Sequence, residues 1–300
     1  MKKNYFIVFA ILLFLPLSVK GAILYVKPSV ATYHQGDTFL VEVRLDTEGE
    51  YVNAVETNLN FPSDILEVRD LSQGNSVLTL WIKNPSFSGD VISFVGGTPA
   101  GYQGLDGLIG KIVFQVRKKA LDSAKIIFQE SSVLLNDGQG TKAKLSTKGA
   151  VFSILPLESK TTRDQWKKEL EEDKISPLPF KIEISKDSAI FEGKYFITFS
   201  TTDKETGIDH YEIKEGKRSW KTGISPYVLE NQKLTDDIWV KAVDKAGNEW
   251  TETLKAQQRA PLLDIINVVK KPIWKYIFEG VLALILILVI IKVRKKLRKL

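Results

Sequence analysis

The stretch Ala54-Val55-Glu56-Thr57-Asn58-Leu59-Asn60-Phe61 places Val55, Thr57, Leu59 and Phe61 on one side of the chain and Glu56, Asn58 and Asn60 on the other. Side chains alternate across a strand, so this is the pattern of a strand with one face in a core and the other in water. Thr38 to Leu45 repeats it, with Phe39, Val41, Val43 and Leu45 set against Glu42 and Arg44. Further candidates are Ile23 to Val26, Leu78 to Ile82, Val91 to Val95, Gly110 to Arg117, Lys125 to Gln129, Val133 to Leu135 and Ala150 to Ile154. About nine short strands, separated by Gly, Asn, Asp and Pro and with no amphipathic helix among them, predict a two-layer β-sandwich over residues 22–154.

Residues 155–179 differ in composition. Pro156, Pro177 and Pro179 bracket the charged segment Lys160 to Lys174, whose large apolar residues are Trp166 and Leu170. Such a segment reads as a linker with room for one helical stretch, too polar to build a core. Alternation resumes at Phe180 to Ile184 and continues through Lys194 to Ser200, Ile208 to Lys214, Tyr227 to Leu229, Asp237 to Val243 and Glu249 to Leu254. Asp244-Lys245-Ala246-Gly247-Asn248 is a hairpin signal between the last two, because Gly and Asn tolerate positive φ. These strands predict a second, smaller β-sandwich over 180–256.

Both ends of the chain are apolar. Ile277 to Ile291 is interrupted only by Glu279 and runs into Lys292-Val293-Arg294-Lys295-Lys296-Leu297-Arg298-Lys299. A helix over 273–293 covers roughly 30 Å, the hydrocarbon thickness of a bilayer. Trp274 and Tyr276 fall at the outer interface, and Arg294, Lys295 and Lys296 begin a basic tail, 294–300, that stays on the cytoplasmic side. Residues 257–272 form the juxtamembrane segment, in which Pro272 interrupts an apolar run. Met1-Lys2-Lys3, the apolar Tyr5 to Leu17 and the residues up to Gly21 read as a signal peptide over 1–21, the alternative being an uncleaved N-terminal anchor. The expected topology is a single-pass type I membrane protein with its N-terminal domains outside the cell.

The net charge of +6 belongs to these ends. Residues 1–21 and 292–300 hold nine basic residues and no acid, so removing them from the 42 basic residues leaves 33 against 36 acidic, about −3. A phosphate-binding surface and a nucleic-acid partner are therefore not implied. The absence of cysteine excludes disulfides, thiolate metal sites and a cysteine nucleophile.

Four segments carry a family resemblance: Gln35-Gly36-Asp37-Thr38-Phe39; Val52 through Phe61-Pro62-Ser63-Asp64 to Val68; Gly107-Leu108-Ile109-Gly110-Lys111-Ile112-Val113-Phe114-Gln115-Val116; and Ser131-Ser132-Val133-Leu134-Leu135-Asn136-Asp137-Gly138. In this order and spacing, residues 23–154 resemble a cohesin domain. The resemblance implies a fold like that of many carbohydrate-binding modules. It also implies a non-catalytic role: cohesins bind dockerin modules through one sheet face and so attach polysaccharide-degrading enzymes to scaffolds or cell surfaces. Where cohesins often present Asn-x-Asp toward dockerin, this chain reads Ala54-Val55-Glu56, so Glu56 alone keeps an acceptor. After Val91 to Val95, where an acid is common, it has Gly96-Gly97. Residues 180–256 resemble bacterial immunoglobulin-like or fibronectin type III-like repeats through Thr206-Gly207-Ile208-Asp209-His210-Tyr211 and Val240 to Asn248, a resemblance that implies a spacer.

Read by themselves, the residues do not point to an enzyme. His34 and His210 lie in different domains, no nucleophile motif or phosphate-cradling glycine loop is present, and Asn136-Asp137-Gly138-Gln139-Gly140 reads as a turn without the alternating acids of a calcium loop. Glu171-Glu172-Asp173 reads as a solvated stretch of the linker. Neither a catalytic residue, a cofactor nor a metal is expected. Candidate partner-binding residues are the polar faces Glu56, Asn58, Asn60 and Lys111, Gln115, Arg117, and the aromatics Trp81, Phe87 and Tyr102, whose rings could stack on sugars or simply pack. The expected function is a membrane-anchored docking protein that binds a dockerin-like module or a polysaccharide. A carbohydrate-binding adhesin and a structural envelope protein are the alternatives. No Leu-Pro-x-Thr-Gly motif precedes the apolar run, so the helix itself is the expected anchor.

Overall fold

The computed structural model describes residues 21–117, 122–157 and 162–256. The expected signal peptide (but for Gly21), the juxtamembrane segment, the membrane helix with Trp274 and Tyr276, and the tail with Arg294, Lys295 and Lys296 lie outside them. Among the described residues, no helix is long and apolar enough to cross a membrane.

Eleven strands make the first unit: β1 (Ala22–Lys27), β2 (Val30–His34), β3 (Thr38–Asp46), β4 (Val52–Asn60), β5 (Leu66–Ser72), β6 (Leu80–Ser88), β7 (Val91–Tyr102), β8 (Gly107–Val116), β9 (Ser123–Leu135), β10 (Leu145–Lys148) and β11 (Ala150–Leu155). They form a five-stranded sheet ordered β10-β1-β3-β8-β5 and a six-stranded sheet ordered β2-β11-β9-β4-β7-β6. Phe39, Val41, Val43 and Leu45 from one sheet meet Val55 and Leu59 from the other, all buried, so both alternating stretches face the core as expected. Thr57 is also fully buried, its hydroxyl satisfied by Ser131 Oγ at 2.7 Å. Aromatic rings fill the centre: Phe114 lies 5.3 Å from Phe61 and 5.9 Å from Phe39, which stacks on Tyr33 at 3.7 Å.

Two features of this sandwich are not expected from alternation. Lys125 to Gln129 and Val133 to Leu135 belong to one bulged strand, β9. The chain also switches sheets near each end, passing from β1 to β2 at Pro28-Ser29 and from β10 to β11 at Gly149. The switched strands then pair in parallel, β1 with β10 and β11 with β2. Gly149 permits the second switch, since a Cβ there would lie 2.1 Å from Ile126 O.

Residues 162–173 of the expected linker pack against the first sandwich. Helix α1 (Gln165–Glu172) is capped by Asp164, whose Oδ1 accepts from Lys167 N at 2.9 Å, worth about 1 kcal/mol. It lies on the five-stranded sheet. Trp166 is buried, Gln165 Oε1 accepts from Leu40 N, and Thr38 N donates to Arg163 O. Asp37 ties this segment down, its carboxylate accepting from His34 N and Arg163 N, both at 2.9 Å.

The second unit has a sheet of β12 (Glu183–Lys186), β13 (Tyr195–Thr198) and β16 (Tyr227–Val228), ordered β12-β13-β16. Its other sheet, ordered β15-β14-β17-β18, holds β14 (Ile208–Glu215), β15 (Lys221–Gly223), β17 (Ile238–Asp244) and β18 (Glu249–Leu254). A separate core of Ile184, Ile197, Phe199, Ile213, Leu229, Ile238, Val240 and Leu254 lies between them. The β17–β18 hairpin turns at Asp244 to Asn248, but only Gly247 takes positive φ there; Asn248 does not.

One surface network gives a pH test. Tyr25 donates to Asp106, which also meets Arg44 Nη1 at 3.0 Å. The Tyr25 hydrogen bond and the Arg44 charge hold the Asp106 carboxyl below its usual range, and burial together with Asp106 pushes Tyr25 up to about 12. A depressed carboxylate stabilises the folded state above its unfolded pKa of about 4, and that contribution is lost as pH falls through the folded value. Asp106→Asn should therefore lower the melting midpoint slightly at pH 7, and the gap between wild type and variant should narrow as pH falls below about 4. A gap that does not narrow on acidification would contradict the assignment.

Candidate functional site

The sandwich has two outer faces, and the chain treats them differently. On the five-stranded sheet, α1 and the second unit cover the outward residues of β3 and β8. Val113 points outward from β8 yet is fully buried and stands apart from the inter-sheet core. Lys111 Nζ pairs with Glu169 Oε2 at 2.7 Å and approaches Glu205 O at 3.4 Å. Lys111 and Gln115 were candidates for a polar docking face. Their side is instead occupied by the chain's own helix and loop, because Trp166 and Glu169 on α1 supply matching partners.

The outer face of the six-stranded sheet carries no described helix. The register sets Glu56 opposite Val95 and Ser132, Asn58 opposite Ser93, and Asn60 opposite Val91 and Ile127. The polar line Glu56, Asn58 and Asn60 on β4 is thus flanked by Val91, Ser93 and Val95 on β7 and by Ile127 and Ser132 on β9. Glu56 is exposed, and Asn60 Nδ2 donates to Asp90 Oδ2 at 2.9 Å. On β6, the strand at the edge of this sheet, Leu80 is 50% and Ile82 72% exposed, whereas Phe87, 52% exposed, is paired with the core residue Ile92 and lies on the inward side of the edge. Nine-residue strands and three inter-strand spacings give the β9-β4-β7-β6 face roughly 30 Å by 14 Å. Its flat area is about half of one side of a standard protein interface, about 800 Å² of accessible surface, so a partner of ordinary size would cover the whole face.

The aromatic candidates do not form a common platform. Trp81 is half-buried, its ring 6.4 Å from Phe94 and tilted 53° to it, and it packs on the core. Its Nε1 is buried without a hydrogen-bond partner. The indole borders a cleft of about 300 Å³ shared with Tyr211, His210 and Ile224 of the second unit. Tyr102 folds over Gly104 and Gly107, where any added Cβ would collide with its ring. Burial raises its pKa, with the Asp106 charge acting in the same direction. Only Phe87 of the three is an open ring.

Three segments meet at the joint between the units. Asp173, at the end of α1, is 1% exposed rather than solvated, and it joins Asp203 and Asp244, both 2% exposed. One oxygen from each lies within 4.8 Å of the others. Asp173 Oδ2 accepts from Thr206 Oγ1 at 2.6 Å, and Asp203 Oδ2 accepts from Glu205 N and Gly207 N, both at 2.9 Å. Asp244 accepts from Asn248 N at 2.8 Å and from its Nδ2 at 2.9 Å. Burial pushes the Asp244 carboxyl above its usual range, and the charges of Asp173 and Asp203 add to the rise. Loop 203–207 also docks on the sandwich: Ser72 Oγ donates to Thr206 O at 2.6 Å, Asn75 N to Asp203 O at 3.0 Å, and Lys245 Nζ pairs with Asp70 Oδ1 at 2.7 Å. No single loop carries these acids, so local spacing could not reveal them. The one sequence signal was the Asp-x-Glu-Thr-Gly and Asp-x-x-Gly-Asn wording of two loops.

The Asn136 to Gly140 segment is a turn, with Gly138 and Gly140 at positive φ and Asp137 Oδ1 accepting from Gln139 N. Histidines 34 and 210 lie apart, His210 Nδ1 sitting 2.6 Å from Asp209 Oδ2.

No protein-family model and no curated protein matches the sequence. Solved structures similar to the chain are cohesin modules, in agreement with the resemblance of residues 23–154. The non-cellulosomal cohesin of the hyperthermophilic archaeon Archaeoglobus fulgidus is 23% identical, with 45% of this chain and 91% of that one covered and a TM-score of 0.39. The Coh-OlpC module of Clostridium thermocellum, solved in a cohesin–dockerin complex, is 16% identical over 46% of this chain and 96% of that one, TM-score 0.40. The seventh ScaB type I cohesin of Pseudobacteroides cellulosolvens is 14% identical over 48% and 97%, TM-score 0.40. All are likenesses of fold.

Proposed function

We propose that this chain is a membrane-tethered docking receptor whose first sandwich binds a protein module of the dockerin type through the β9-β4-β7-β6 face. The observation that carries the reading is the contrast between the two faces. The chain covers one with its own helix and second unit and leaves the other open, with a polar central strand, Val91, Val95 and Ile127 to either side of it, and the exposed Leu80 and Ile82 at the edge. Exposed apolar side chains grouped on one face mark association surfaces more often than chance exposure does. The mixed character of the face suits a specific partner better than a sugar, since the rings a sugar would stack on are divided between core, loop and edge. The second unit, immunoglobulin-like by its sequence, serves as a spacer. The apolar run Ile277 to Ile291 is the tether, holding the sandwiches outside the cell. The role is docking, with no chemistry performed on the partner.

The test is binding of the full chain in detergent to a panel of purified dockerin modules, alongside a glycan array. Val95→Arg places a charge in the centre of the face and should weaken capture by at least ~30-fold, the scale of losing one central contact of about 2 kcal/mol. Lys233→Glu, exposed on the second unit, should leave it unchanged. Glycan binding with no module captured would replace this reading by the adhesin.

A further inference from the structure

We infer that Asp173, Asp203 and Asp244 form a calcium site that stiffens the joint between the two sandwiches. Convergence of three carboxylates would not be enough alone. The second observation is Asp203 Oδ1, which is buried and has no hydrogen-bond partner, while Oδ2 of the same carboxylate takes both available backbone N–H groups. A buried carboxylate oxygen left without a donor costs several kcal/mol unless a cation meets it.

Among the described residues, no Lys, Arg or His lies within salt-bridge distance of any of the three acids. Two lysines of the joint are committed elsewhere, Lys245 to Asp70 and Lys111 to Glu169. Asn248 Nδ2 is the neutral donor that partly serves the cluster, reaching Asp244 Oδ2 at 2.9 Å and Asp173 Oδ1 at 3.4 Å.

The donor set selects the ion. All ligands are oxygens, with neither sulfur nor imidazole in the cluster, which suits a hard cation. Oxygens around calcium at 2.3–2.6 Å are at most about 4.6–5.2 Å apart, a span that accommodates the 4.8 Å limit of this cluster. Magnesium demands near-octahedral geometry at about 2.0–2.1 Å and prefers to keep its water, so it is less suited to an all-protein set of carboxylates.

Position gives the site its consequence. Asp173 ends α1, which is seated on the first sandwich. Asp203 opens loop 203–207, which is bonded to Ser72 and Asn75. Asp244 begins the β17–β18 turn. An ion held by all three cross-links the connecting segment to the second unit at the point where that unit touches the first.

The test is calorimetric titration of the EDTA-treated full chain in detergent micelles with calcium chloride alone. Expected is one saturable site with a Kd of about 10⁻³ M or tighter, the range of extracellular calcium modules. A rise of several degrees in the thermal midpoint at saturating calcium should accompany it. Asp203→Asn keeps the acceptor for Glu205 N and Gly207 N and should weaken calcium binding at least ~10-fold, as should Asp244→Asn. Asp137→Asn, in the turn after β9, should bind like wild type. No binding heat from wild type at about 10 mM calcium, tighter binding of magnesium than calcium, or affinity unchanged in both variants would each overturn the assignment; the wild-type titration decides even if a variant fails to fold.

Discussion

Replacing Phe114 by alanine is expected to cost the first sandwich about 3–5 kcal/mol, the range for deleting a fully buried aromatic ring. Phe114 is wholly buried on β8, the strand that joins β3 to β5 in the five-stranded sheet, and its ring bridges Phe61 at 5.3 Å and Phe39 at 5.9 Å. Phe39 in turn packs edge-on against Phe152 at 5.5 Å, so the void would open at the centre of an aromatic cluster drawn from both sheets. Rings fixed on β3 and β11 and just past the end of β4 cannot collapse into such a space, which places the expected loss in the upper part of the range. Domains of this size are held by about 5–15 kcal/mol, so the variant keeps little reserve and its melting midpoint should fall by roughly 10–20 °C. The second unit has its own core and should lose only what its contacts with the first sandwich contribute. Phe87→Ala, at an exposed position on the edge strand, is the comparison and should stay within about 0.5 kcal/mol. A fall below about 4 °C for Phe114→Ala would mean that the aromatic cluster does not hold the two sheets together.

The same burial explains why this part of the molecule is legible in the sequence. Phe39, Val41, Val43, Leu45, Val55 and Leu59 alternate because each strand has one wet and one dry side, and that period is printed in the residues. The strands that alternation misses are β2, β5, β10 and β15. Val30 is 76% exposed, β5 carries a bulge between Val68 and Asp70, the middle of β10 is Ser-Thr, and β15 is Lys-Thr-Gly. All four are edge strands, and β2, β5 and β10 are held by backbone pairing with a neighbour that lies far away in sequence, which a local window cannot see. Trp166 was legible as an apolar residue in a charged segment but not as a plug, because its socket on the five-stranded sheet is assembled by folding. Asp173 shows the limit most clearly. Beside Glu171 and Glu172 it looks like one more solvated acid, yet the helix ends at that residue and turns its carboxylate under Thr206. The open face of the six-stranded sheet is half legible. Glu56, Asn58 and Asn60 could be assigned to a wet side, whereas the covering of the opposite face by α1 could not.

Gly74→Ala should uncouple the two sandwiches while leaving each one folded. At Gly74 a Cβ would stand 2.0 Å from Glu205 O, 2.6 Å from Glu205 C and 2.8 Å from Gly207 N. All three are backbone atoms, so no rotamer change can make room, and loop 203–207 must move off the sandwich. Moving it breaks the bonds from Ser72 Oγ to Thr206 O and from Asn75 N to Asp203 O, and draws Lys245 from Asp70. At about 1 kcal/mol net for each, the coupling lost is roughly 3 kcal/mol, or a factor of about 100 in the docked population. The expected result is a scattering profile that broadens from one orientation to many, with two separate melting transitions in place of one coupled transition. Gly207→Ala should do the same, since its Cβ would meet Gly74 N at 2.7 Å. Because both substitutions break one contact, the double variant should lose scarcely more than either single one. A scattering profile identical to wild type would show that the units hold their orientation by other means. The consequence for docking is directional. With the joint closed, α1 and the second unit occupy the back of the first sandwich, and the β9-β4-β7-β6 face is the side left for a partner. With the joint open, the part of the back face under loop 203–207 gives up its cover, around Ser72 and Lys111, and the selectivity between the two faces on which docking depends is reduced.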